Sequence, residues 1–114
     1  MDIKLNEKYS GVELPEVIIA IHGVKTFRYV PYNIVLNENK LYTWNYILIG
    51  PGSYNYEGVV KSIINVKYNY DSMTAIINNY LLSPDNEKYK KEFNEMQEWR
   101  LYAKNFSKQH FGIK

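Results

Sequence analysis

Tyr89, Phe93, Met96, Trp99, Ala103, Phe106 and His110 recur at intervals of three and four, the spacing of one helix face. Ser83-Pro84-Asp85-Asn86-Glu87 ahead of them reads as a cap, a proline at the first helical position and acids in the first turn, and Gly112 as a stop. A helix over 84–111 would be ~40 Å long at ~1.5 Å per residue. In a chain of 114 residues that length constrains the fold more than any other feature. Either the end of the helix projects beyond the rest of the domain, or a partner covers it.

The period changes ahead of this helix. "INVKYNYDSMTAIINNYLL", residues 64–82, opens as alternating strand and regroups at helical spacing from Asp71. Asp71 reads as an N-cap, Met73, Ile76, Ile77, Tyr80 and Leu81 as one apolar stripe, and Ser83 as the end because it precedes proline. A short helix over 72–82 is therefore expected.

Upstream, residues 14–70 read as a β meander. Val17–His22 is a short β-branched run ended or bent by Gly23. Thr26–Leu36 and Leu41–Ile49 form a hairpin across Asn37-Glu38-Asn39-Lys40. Pro31 cannot donate to a ladder, so its arm is bulged there or runs along an edge. Gly58–Tyr68, with Val60, Ile64, Val66 and Tyr68 on one side, completes the meander after a Gly50–Asn55 loop. The expected fold is one α+β domain: an antiparallel sheet of three to five strands, a short helix and a long C-terminal amphipathic helix.

Composition removes several functions. With no cysteine there is no disulfide or thiolate metal site. No apolar run reaches the ~18–20 residues of a membrane span, and Met1–Glu7 lacks the pattern of a signal peptide, so a cytoplasmic location is expected. The net charge of +2 does not by itself call for nucleic acid.

Catalysis finds no constellation. The two histidines, His22 in an apolar strand and His110 at a helix end, have no nucleophile motif beside them, and a cation at His110 would simply complement the helix dipole. Glu92, Glu95 and Glu98 interleave with Lys88 and Lys91 as on a solvated helix face. Gly50-Pro51-Gly52-Ser53 lacks the ending of a phosphate loop. No cofactor, metal or enzymatic activity is expected.

Two surfaces remain. Arg100, Lys104 and Lys108, four apart, form a stripe able to track phosphates, with Tyr102 or Phe106 for stacking; the plainer reading is dipole compensation. Phe27, Tyr29, Tyr32, Tyr42, Trp44 and Tyr46 on the hairpin, with Tyr54 and Tyr56 after it, are either a partner surface or the filling of a small core. With Trp99 and Phe106 on the long helix, Tyr42, Trp44, Tyr46, Tyr54 and Tyr56 are the candidate protein-contact residues.

"GVELPEVIIAIHGV" (11–24) resembles the opening of small tail- or baseplate-region proteins of bacteriophages, in which a Leu-Pro step leads into a first strand and a hairpin. "YNYDSMTAIINNYLLSPDNEKYKKEFNEMQEWRLYAKNF" (68–106) is similar to the C-terminal helices of small uncharacterised proteins from phages and mobile elements of gut Bacteroidetes. The resemblance carries no catalytic residue. It implies a non-enzymatic protein that works by contact, cytoplasmic or virion-associated. The sequence thus points to a structural or interaction module assembling with itself or another protein. The alternative is a nucleic-acid-binding accessory protein using Arg100, Lys104 and Lys108.

Overall fold

The computed structural model describes residues 3–113. Four strands, β1 (Tyr9–Gly11), β2 (Ile18–His22), β3 (Lys25–Leu36) and β4 (Tyr42–Ile49), precede three helices, α1 (Tyr56–Lys67), α2 (Tyr70–Leu82) and α3 (Glu87–His110). The strands make one antiparallel sheet in the order β1-β4-β3-β2. The α+β class, the central hairpin and the long terminal helix are all present.

Turn chemistry sets the register. β2 and β3 join through Gly23-Val24, with Gly23 at φ 65 as the first position of a type II′ hairpin turn requires. Between β3 and β4 the Asn37 side chain accepts from the Asn39 and Leu41 amides, and Lys40 takes φ 61. Pro31 lies just past the end of the β2 ladder, where that side of β3 is open, and a bulge follows between Tyr32 and Val35 with Asn33 at φ 56. The bulge expected of the proline is thus present just beyond it, whereas β3 is not an edge strand but lies between β4 and β2. The three-residue β1 lies ahead of the residues 14–70 whose pattern reads as strand.

The segment 58–68 is not a strand. It is α1, capped by Asn55, whose side chain accepts from the Gly58 amide at 2.9 Å. Val59 and Ile63, four apart, are fully buried against the sheet and α3. Burying each contributes roughly 1.5–3 kcal/mol, whereas a β-branched residue costs a helix only a few tenths of a kcal/mol. Packing therefore overrides the alternating pattern. The other caps also differ from expectation. Asn69 rather than Asp71 caps α2, accepting from Ser72 at 2.7 Å, and Asn86 rather than Ser83 caps α3, with Pro84-Asp85 spent in the preceding turn.

One face of the sheet packs the core. Val30 and Tyr32 of β3 and Ile47 and Ile49 of β4 meet Val59 and Ile63 of α1 and Trp99 and Ala103 of α3. On the opposite face Tyr9, Trp44 and Tyr46 pack edge to face, with ring centroids 5.2 and 6.4 Å apart.

Gly58 admits no side chain: a Cβ there would lie 1.8 Å from the Ser53 carbonyl oxygen. Because that neighbour is backbone at the helix entry, Gly58→Ala should destabilise the fold by ~3 kcal/mol, read as a lower urea midpoint. A midpoint within experimental error of the parent would contradict this packing.

Candidate functional site

The long helix has two halves with different surroundings. In its C-terminal half Trp99, Ala103 and Ser107 are buried, and Met96 is buried just before the midpoint. The Trp99 indole donates to the Ile63 carbonyl at 2.9 Å, and the Ser107 hydroxyl donates to the Tyr56 carbonyl at 2.9 Å, so α3 is fastened to α1 at two levels. The Asn33 amide at the β3 bulge donates to the Tyr102 hydroxyl. Burial pushes the Tyr102 phenol above its ordinary value, with this backbone bond acting the other way. The C-terminal end therefore sits on the sheet.

The N-terminal half is what projects. There α3 runs against α2, with Tyr80 and Phe93 stacked at 4.3 Å and 8°. No residue of α2 is fully buried. The radius of gyration, 16.3 Å, exceeds the ~13 Å of a compact domain of this size, as expected for a two-helix arm standing off the sheet. Leu81 and Leu82, at the tip of the arm, are 69% and 82% exposed. Lys88–Glu92 and Lys91–Glu95 pair at 4.0 Å along its outer side, as their spacing implied.

This arrangement divides the aromatic candidates. Trp44, Tyr46 and Trp99 are at most 9% exposed, Trp99 within the core and Trp44 and Tyr46 on the opposite face of the sheet, and Lys67 also lies over the Trp99 ring at 4.0 Å. Tyr42, Tyr54, Tyr56 and Phe106 are half-buried. Hairpin rings large enough to serve a partner are equally the rings that close a small core, and their spacing does not separate the two roles.

Phe106 and His110 line a cleft of ≈ 360 Å³ with Pro15, Glu16, Val17, Pro31, Ile34 and Gln109, and Tyr54 contacts its His110 wall. The Tyr54 hydroxyl bonds His110 Nε2 at 2.9 Å, the Arg28 guanidinium stacks 4.3 Å over the Tyr54 ring, and Phe111 packs at 5.1 Å. Burial pushes the His110 pKa down from its ordinary value. His110 is thus a neutral hydrogen-bonding ring at pH 7 rather than the dipole-compensating cation its position suggested. His22 is exposed and packs edge to face on Phe27 at 5.6 Å. Neither histidine has a serine or threonine hydroxyl as its partner among the described hydrogen bonds.

The basic stripe is only partly free. Arg100 is half-buried and donates to Gln97 Oε1 at 3.2 Å, whereas Lys104 and Lys108 are exposed. Tyr102 and Phe106 lie two residues from Lys104, roughly 200° round the helix, and face β3. The stripe therefore has phosphate-seeking charge without the stacking rings expected beside it. Among the described residues no three His, Asp or Glu side chains gather as a metal site, and no helix is long and apolar enough to cross a membrane.

Comparison of the chain with protein-family models, curated proteins and solved structures returns no match.

His110 supplies a pH test. A folded pKa below the unfolded value means that the unfolded chain binds the extra proton first. Stability should hold down to about pH 6.5, fall as pH drops towards the depressed folded value, then level off. His110→Gln, which keeps a polar partner for Tyr54, should remove that step from urea-unfolding profiles. Superimposable profiles for parent and variant would contradict the assignment.

Proposed function

We propose that the chain is a non-enzymatic interaction module whose working surface is the α2–α3 arm. The observation that carries this reading is the arm itself: two helices leave the sheet together, α2 buries no residue completely, and two leucines stand exposed at the tip. Exposed apolar side chains grouped at the end of a projecting element mark a contact surface rather than a core. The sequence pattern points to the hairpin aromatics and the long C-terminal helix as the contact. With Trp44, Tyr46 and Trp99 buried, this reading puts the surface on the other half of the same helix. The resemblance to small phage and mobile-element proteins fits a protein that works by contact, free in the cytoplasm or within a virion.

A nucleic-acid role is the second reading, favoured by the exposure of Lys104 and Lys108. It calls for phosphate contacts alone, and so for weak binding that falls steeply with salt.

The arm reading is tested by placing a photo-crosslinking phenylalanine analogue at Leu82 in cells that make the chain. A discrete adduct is expected, absent when the analogue sits at exposed Lys61 on α1 and lost when Leu81→Glu is added. Because Leu81 is exposed, that change should alter stability by no more than ~0.5 kcal/mol. Failure of the Leu82 position to give an adduct would overturn the arm as the contact surface.

A further inference from the structure

The two edges of the sheet are treated differently by the sequence. β1 closes one edge with only three residues. β2 forms the other edge with Ile18-Ile19-Ala20-Ile21-His22, which contains no lysine, acid or proline and pairs with β3 through five consecutive residues without a bulge. Soluble proteins ordinarily blunt an open edge with one of those devices. Here Ile19 and Ile21 are 58% and 69% exposed on the face that carries the helices, and Val24 at the turn is fully exposed.

The backbone of β2 is also available. In a two-residue hairpin the closing pair, His22 and Lys25, exchanges main-chain bonds, and alternate pairs below it do the same. Ile19 and Ile21 consequently turn their N–H and C=O groups to the open side.

We infer that β2 is a self-pairing edge, whose occupant is β2 of a second copy of this chain, antiparallel about a two-fold axis at Ala20. Three features select this occupant and register. An isologous strand pair must be antiparallel, and centring it on Ala20 overlaps all five residues while keeping the outward-facing Ile19 and Ile21 opposite each other. The four exposed isoleucines then cover one another in one patch on the helix face. Charge is compatible: Glu16, two residues before β2, and Lys25, opposite His22 on β3, are both exposed, so antiparallel pairing brings acid and base to the same end of the seam, whereas a parallel pair would bring like charges to the same end. The result is one eight-stranded sheet with the two arms at a distance from the seam. This contact is separate from the arm and stands or falls independently of it.

The absence of cysteine from the chain makes the test clean. Opposed residues of a non-hydrogen-bonded antiparallel pair have Cα atoms ~4.5 Å apart, within disulfide range. Ala20→Cys should therefore oxidise rapidly to a covalent dimer, whereas Val24→Cys, at the exposed turn, should do so at least roughly tenfold more slowly. Ile18→Cys and His22→Cys should each cross-link poorly alone but readily when mixed, since this register sets residue 18 opposite residue 22. On sedimentation of the full chain, the parent should show a monomer–dimer equilibrium, and Ile21→Lys should raise its dissociation constant by roughly tenfold or more. A parent monomeric at every concentration, or Ala20→Cys oxidising no faster than Val24→Cys, would overturn the proposal. So would preferential cross-linking in a different register. If the Ala20 variant folds poorly, the Ile18/His22 mixture decides alone.

Discussion

Everything else in this fold depends on the seam between α1 and α3. Trp99, Ala103 and Ser107 stand at intervals of four on α3, and the two small residues let the helices approach closely. On either side of Ala103 a side-chain donor of α3 reaches a main-chain carbonyl of α1, from Trp99 to Ile63 and from Ser107 to Tyr56. These bonds satisfy two buried polar side chains that would otherwise each cost ~1–3 kcal/mol. With Gly58 pressed against the Ser53 carbonyl, the seam also fixes where α1 leaves the sheet. Val59 and Ile63 can then reach Val30, Ile47 and Ile49, and one core results.

Because that seam uses only the C-terminal half of α3, the other half is left without a sheet beneath it. The α2 helix follows it outward, held mainly by a seam that includes Tyr80 stacked on Phe93. A helix that buries no residue completely has little stability of its own. The length that first constrained the sequence is thus resolved by division: one half of α3 organises the core, and the other carries an arm.

How much of this the sequence makes legible varies with the physics of each segment. The β3–β4 hairpin is legible because Asn37 and the flanking alternation both act locally. The end of α2 at Ser83 is legible because proline restricts the residue before it. α1 is not, because Val60, Ile64 and Val66 fit a period of two while Val59 and Ile63 fit a helix, and only contact with the sheet decides. Asn55, followed by Glu57 in the first turn, was the available signal, obscured by Gly58, which reads as a strand boundary. The arm was half legible: a helix too long for its domain is visible, but which end projects depends on long-range packing. The roles of Trp44, Tyr46 and Trp99 were open for the same reason. The β2 edge is not legible because a strand apolar on both faces reads as a central, buried one.

Native-state hydrogen exchange measures this division directly. Amides of α1, β3, β4 and Trp99–Ser107 should exchange only through global unfolding, while those of α2 and the first two turns of α3 should open locally at a distinctly lower free energy. If α2 were as strongly protected as α1, the arm would be an integral part of the core and the account of α3 as a divided helix would be wrong.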